Sequence, residues 1–167
     1  MKKVDIALLH KDKEKFAQKE IITAGWVKSS RSNGSLGFLD LNDGTSFKGL
    51  QVVFTKEDID NFDIVEKLNA GSAIICKGTI VLTPENKQPF EMKASNITVI
   101  NATDSEYPLQ KKRHSPEFLR EIAYLRPRTN LFNAIFRVRS ELSFLLHEFF
   151  NKNGFVYVHT PIITSSD

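Results

Sequence analysis

One cysteine, one tryptophan and two methionines are all that this sequence of 167 residues holds of those types. A single thiol cannot close an internal disulfide, so no disulfide framework staples the chain and a reducing compartment suits it. Cys76 follows the apolar run Ala73-Ile74-Ile75 and reads as a small buried hydrophobe rather than a nucleophile. No apolar run approaches the ~20 residues that span a bilayer. Lys2 and Lys3 are followed by Asp5, His10, Lys11 and Asp12 without a long apolar core between them. No secretory signal is read there, and a cytoplasmic location is expected. The four histidines, His10, His114, His147 and His159, are scattered. They form no metal-ligand spacing, and no glycine-rich phosphate loop is found.

Phenylalanine, by contrast, is abundant at 13 residues, and hydrophobic residues make up 41% of the chain. That is ample apolar bulk for a core. The net charge of +3 is mildly basic, which admits a nucleic-acid partner without demanding one.

Residues 1–20 are charged, with an apolar cluster at Ile6, Leu8 and Leu9 that suits a short helix or an extended arm. From residue 21 to 101 the pattern turns to β-branched and aromatic runs punctuated by turn residues. Strands are predicted at Ile21–Ser30, Leu36–Asn42, Leu50–Phe54, Ser72–Leu82 and Phe90–Ile100. Asp43-Gly44 reads as a hairpin dipeptide after the second strand. A helix is predicted over Lys56–Leu68, with Ile59, Phe62, Val65 and Leu68 as its apolar positions and Gly71 as its stop. Three strands, a helix and two strands is the order of an OB-fold, a five-stranded Greek-key barrel that binds oligonucleotides on its second and third strands and adjacent loops. The fold class is therefore mainly β. A basic linker follows over 103–129, with a helix at Pro116–Leu125 that Pro127 interrupts. A long amphipathic helix then runs from Asn130 to Lys152, carrying Leu131, Ile135, Val138, Leu142, Leu145 and Phe149 at helical spacing. It leads to a strand at Phe155–His159. The chain thus divides into an arm plus barrel at 1–102, a hinge at 103–129 and the start of a mixed α/β domain at 130–167. A helix and a lone strand close no core of their own, so the chain is expected to be the opening piece of a longer protein.

Strand alternation sorts the barrel residues into two faces. Leu39 and Leu41, Leu50, Val52 and Phe54, and Phe90, Met92 and Ala94 face in. Phe38 and Asp40, Gln51, and Glu91, Lys93 and Ser95 face out. An outward phenylalanine offers a stacking surface for a base. Gln51 can donate and accept toward the Watson–Crick edge of a uracil, and an ionised Glu91 can accept from N1 and N2 of guanine. Arg31, at the exit of the first strand, can hold a phosphate or stack on a base. Composition and periodicity leave the ligand open. A loop can cover an outward phenylalanine, and outward Gln and Glu can simply be solvated.

Longer motifs narrow the choice. Gly25-Trp26-Val27, Arg31, Gly37-Phe38-Leu39-Asp40-Leu41-Asn42-Asp43-Gly44 and Leu50-Gln51-Val52-Val53 resemble the anticodon-binding domain of the aspartyl, asparaginyl and lysyl branch of class II aminoacyl-tRNA synthetases. Asn153-Gly154-Phe155 through Thr160-Pro161-Ile162-Ile163 resembles the first catalytic-domain motif of that class, which builds a subunit interface. The hinge, Tyr107-Pro108-Leu109-Gln110-Lys111-Lys112-Arg113-His114 and Tyr124-Leu125-Arg126-Pro127-Arg128, resembles asparaginyl enzymes of the bacterial type. The resemblance implies an anticodon site at Arg31, Phe38, Gln51 and Glu91 for the GUU triplet of tRNA(Asn). Phe38 and Gln51 would serve the central U and Glu91 the first G. It also implies a homodimer with Pro161 at its interface. The family's ATP and Mg²⁺ belong to later motifs of the parent enzyme, so this chain by itself is expected to be catalytically inactive. The alternatives are an aspartyl relative, including a form that charges both tRNAs, and a stand-alone OB-fold RNA-binding module.

Overall fold

Five strands follow one another much as alternation requires: β1 at Glu20–Ser32, β2 at Leu36–Asn42, β3 at Leu50–Thr55, β4 at Ala73–Leu82 and β5 at Phe90–Asn101. A computed structural model describes residues 2–86 and 88–163 of the chain, and its chain separates into two compact units, Met1–Ile122 and Ala123–Asp167. In the first unit the strands close into a barrel in the order β1-β2-β3-β5-β4. β1 makes closure possible. It is long enough to pair with β2 through its second half (Trp26 to Ser32) and with β4 through its first (Glu20 to Trp26). A bulge between Val27 and Ser29 lies where the two partners change over. The β3–β5 pair is parallel, and the others are antiparallel.

The barrel interior is filled by the inward set that alternation predicts. Leu39, Leu41, Leu50, Val52, Phe54, Phe90, Met92 and Ala94 all belong to one buried cluster. Phe54 needs special room. Gly37 sits against its ring, and a Cβ there would come within 2.5 Å of the ring edge. Cys76 is buried in the same cluster, and desolvation pushes its thiol up to about 12, so it stays a neutral apolar filler.

The N-terminal arm and the β3–β4 connection both add side chains to the barrel's core cluster. The arm forms α1 (Ile6–Lys11) and α2 (Lys13–Phe16), and Ile6 and Leu9 enter the core while Leu8 stays outside. The start of α1 is held by the β2–β3 loop: the Ile6 N–H donates to Asp43 Oδ2 at 2.9 Å and the Ala7 N–H to Thr45 Oγ1 at 3.0 Å. Asp43 Oδ1 meanwhile accepts from the Thr45 N–H at 3.0 Å. Asp43-Gly44 therefore opens a connection over residues 43–49 rather than a two-residue hairpin, because the Asp43 carboxylate is shared between loop and arm.

The helix expected over Lys56–Leu68 is reduced to α3, Phe62–Val65. Ile59, Phe62, Val65 and Leu68 are nonetheless all buried. Their strict spacing of three suits successive tight turns better than an α-helix of 3.6 residues per turn. Side chains also compete with the helix backbone here. Thr55 Oγ1 donates to Asp58 Oδ2 at 2.6 Å, and Asn61 Nδ2 donates to the Ile97 carbonyl of β5 at 2.8 Å. After α3 the chain turns at Gly71, whose φ is +90°. Beyond β5, α4 spans Pro116–Glu121 with Ser115 accepting from the Phe118 N–H. It is shorter than the expected Pro116–Leu125, because Ile122 leaves helical geometry at ψ 50°.

In the second unit a 3-10 turn at Arg126–Arg128 precedes α5, Asn130–Lys152. α5 has the predicted bounds. Thr129 caps it by accepting from the Phe132 N–H at 3.4 Å. The Arg126 guanidinium lies over the rings of Phe132 and Phe136. The strand expected at Phe155–His159 does not form. No other described segment offers it a ladder, and an unpaired strand has nothing to satisfy its backbone groups. The expected division at 103–129 also differs from the observed boundary after Ile122, and the last four residues of the expected 130–167 segment lie outside the described ones.

Two glycines with like backbones but different surroundings give a direct check. A Cβ on Gly71 would meet the Tyr107 ring at 2.5 Å, whereas one on Gly34 (φ +92°) meets nothing within 4 Å. Gly34→Ala should cost only the left-handed backbone term of about 1–2 kcal/mol. Gly71→Ala should cost more, read as a larger drop in the urea midpoint.

Candidate nucleic-acid interface

The outward residues of four strands lie in register on one patch of the barrel. Paired residues share a face, so the ladder Arg31↔Phe38, Phe38↔Val53, Val53↔Lys93 draws a row across β1, β2, β3 and β5. A second row, one pleat further along, runs Ser29↔Asp40 and Asp40↔Gln51. Gln51 precedes Val52, the partner of Met92, and so stands beside Glu91.

Side-chain contacts link the rows. Gln51 Nε2 donates to Glu91 Oε2 at 3.1 Å, and Arg31 Nη2 donates to Gln51 Oε1 at 3.4 Å. The Arg31 guanidinium carbon lies 4.9 Å from the centre of the Phe38 ring, within cation–π range. The four side chains singled out from sequence, Arg31, Phe38, Gln51 and Glu91, thus form one connected cluster. Phe38, Gln51 and Glu91 are half-buried and Arg31 is exposed. Phe38 stands apart from the core: its neighbours Gly37 and Leu39 are buried and it is not.

The cluster has definite chemical capacity. Arg31 and Glu91 grip opposite ends of the Gln51 amide, so its oxygen and nitrogen are not interchangeable. One N–H and one lone pair of the amide remain for a ligand edge. Glu91 keeps acceptor capacity beyond its single bond to Gln51. The Arg31 bond is long, and long hydrogen bonds are weak. The guanidinium is therefore the most easily displaced member, and displacing it bares the face of Phe38. Pro161, the fifth residue singled out, belongs to the other unit; its neighbours Ile162 and Ile163 are exposed. No group of three or more His, Cys, Asp or Glu able to hold a metal occurs among the described residues.

Asp40 and Lys93 occupy the same patch, and the site reading from sequence passed over both. The signal was present, since each stands two residues beyond a selected residue on the same strand. Asp40 is half-buried and its Oδ1 has no hydrogen-bond partner. Gly49 leaves no space beside it, since a Cβ there would collide with this carboxylate. Burial raises the Asp40 carboxyl above its ordinary value of 3.8, and the nearby charge of Lys28 opposes that shift. A carboxyl with a raised folded pKa binds its proton more tightly in the folded state. Its contribution therefore favours folding below 3.8 and is lost as pH rises through the raised folded value. Asp40→Asn, which removes that titration, should raise the denaturation midpoint at pH 7, and the gain should shrink as the pH is lowered toward 3.8; urea titrations at several pH values check this.

Comparison with known proteins agrees with the barrel fold. Residues 21–100 match the family model of the OB-fold nucleic acid binding domain. Over all 167 residues the chain is 53% identical to an asparagine–tRNA ligase of Acetivibrio thermocellus and 52% identical to one of Clostridium tetani. It spans 36% of the length of each of these curated relatives. Among solved structures, asparaginyl-tRNA synthetase from Pyrococcus horikoshii complexed with asparaginyl-adenylate superimposes with a TM-score of 0.85 at 28% identity, covering 97% of this chain and 37% of that one. An aspartyl-tRNA synthetase from Entamoeba histolytica shares the fold with a TM-score of 0.81 at 23% identity, over 96% of this chain and 39% of that one. Along its whole length the chain is thus similar to a part of asparagine–tRNA ligases, and residues 21–100 match the OB-fold nucleic acid binding domain.

Proposed function

We propose that the outward patch of the barrel reads the GUU anticodon of tRNA(Asn) for an asparagine–tRNA ligase, whose reaction activates asparagine with ATP, releasing pyrophosphate, and then transfers the aminoacyl group to the tRNA, releasing AMP. The observation that supports this is the continuous contact chain Phe38–Arg31–Gln51–Glu91 on one solvent-facing surface. A stacking ring, an oriented amide and a carboxylate acceptor there adjoin one another. Together they can take a splayed base on its face and read two adjacent base edges.

The binding sequence follows from the strengths of the contacts. An incoming base takes the Phe38 ring face from Arg31. The displaced guanidinium is free to stack on the far side of that base or to meet a phosphate. The Gln51 amide then presents its remaining donor and acceptor to the uracil edge. Glu91, acceptor-only when ionised, takes N1–H and N2–H of guanine and disfavours an adenine, whose N1 is an acceptor.

In the whole ligase, ATP and Mg²⁺ would serve the catalytic step in the part of the protein that lies outside these residues, and the location would be the cytoplasm. No described helix is long and apolar enough to cross a membrane. The exposed apolar surface of α5, including Leu142, Phe144, Leu145 and Phe149, all more than half exposed, together with Pro161, would supply the subunit interface of a homodimer.

Binding and chemistry are tested separately. Phe38→Ala should weaken binding of a hairpin RNA with a GUU loop by roughly 1–3 kcal/mol, measured by filter binding with the fold checked by circular dichroism. Unchanged affinity would remove the stacking role. Wild-type chain should prefer GUU over GUC loops, and equal affinity would favour an aspartyl or dual reading. The 167-residue chain alone should show no ATP–pyrophosphate exchange.

A further inference from the structure

Reading a guanine with a carboxylate has an electrostatic consequence. Glu91 places a negative charge on the surface along which a chain of phosphates must run. Asp40, two strands away on the same row, adds a second carboxylate. Arg31 and Lys28 are the cations at the β1 side of the patch; in the free chain Arg31 is already engaged with Phe38 and Gln51, and Lys28 lies near Asp40. On the β4–β5 side Lys77 is paired with Glu20 at 3.0 Å, and Ser95 also bonds to Glu20. That charge is neutralised locally.

Lys93 is different. It is exposed between the buried Met92 and Ala94, so its side chain projects outward. It makes no ion pair with a described residue. It stands two residues from Glu91 on β5, about 6.4–6.8 Å along the same face. It also lies in the row of Phe38, separated from it by Val53 alone, or about 10 Å at the ordinary strand spacing. A lysine side chain can cover most of that distance. If Glu91 takes one base and Phe38 the next, the phosphate linking those two nucleotides falls in the space between the two side chains. Lys93 is the cation that borders this space.

We propose that Lys93 is a phosphate-binding residue of this interface, holding the linkage between the nucleotide read by Glu91 and the nucleotide stacked on Phe38. The proposal rests on the anticodon reading above and extends it. Lys93 supplies affinity and register without base preference, and it offsets the charge that Glu91 introduces. A point-charge contact to phosphate carries no sequence information, and its signature is counterion release.

The test measures binding of the full chain to hairpin RNAs with GUU and AUU loops over a series of salt concentrations. For Lys93→Gln the slope of log K against log salt should become shallower by about 0.7, the value of one phosphate contact on a single strand. The GUU-over-AUU preference should be unchanged, and Lys93→Arg should keep the wild-type slope. A Lys93→Gln slope equal to wild type, in a wild-type chain that does prefer GUU, overturns the role of Lys93 alone. Loss of GUU preference in Lys93→Gln also overturns it, since that marks a base contact. A wild-type chain with no preference for GUU overturns the anticodon reading itself, and this placement with it.

Discussion

Closure of the sheet by the β1–β4 ladder is the constraint from which the rest of the first unit follows. An open sheet of these strands would leave two edges and two faces of ambiguous role. Once Glu20 to Trp26 pair with Thr79 to Ala73, every strand has one side committed to the interior and one to solvent. The inward side collects Leu39, Leu41, Val52, Phe54, Ile80 and Met92 into a single cluster. Phe38, Gln51 and Glu91 on the opposite side then have no choice of direction. A slip of one residue in β2 or β3 would exchange these sets. The core would gain charged and amide groups and the surface would lose its stacking ring. The hydrophobic stabilisation of the barrel and the composition of its outer patch are therefore one fact seen from two sides.

Within that frame, hydrogen bonds between side chains refine what the patch can recognise. Gln51 on a free surface would sample several rotamers and either amide orientation. Bonds to Glu91 and Arg31 reduce that freedom before any ligand arrives, which lowers the ordering cost of binding. The contacts are graded in strength. The 3.1 Å bond to an anionic acceptor holds more firmly than the 3.4 Å bond from Arg31, and the exposed guanidinium can leave. A patch that is firm at its amide and loose at its arginine can admit a base without unfolding anything.

The arm and the second unit show where local pattern stops being sufficient. α1 is only six residues long, too short to persist alone in water. It is helical because Ile6 and Leu9 are buried and because Asp43 and Thr45 satisfy its first amides. α5 is the opposite case. Its 23 residues, strong periodicity and Thr129 cap make a helix legible from sequence to the residue. Yet much of its apolar surface, including Leu142, Phe144 and Phe149, faces outward. A helix with so wide an apolar surface is built to be covered.

The strands, their inward and outward sets, the long helix and the outward direction of Phe38, Gln51 and Glu91 were readable from the sequence, because alternation and helical spacing are local properties of a chain. Motif resemblance then attached a family to them. The sequence alone could not show that α3 shrinks to Phe62–Val65, since Asn61 is drawn away to a carbonyl of β5. It could not show that Asp43 serves the arm, or that Phe155–His159 remains without a strand partner. Those outcomes depend on groups distant in sequence meeting in space. The same holds for the patch. Alternation said that Gln51 and Glu91 face outward, but only the parallel β3–β5 register brings them within hydrogen-bonding distance and sets Lys93 beside Val53 in the row of Phe38. Side-chain direction is decided within a strand, whereas adjacency is decided between strands, by the closure of the barrel.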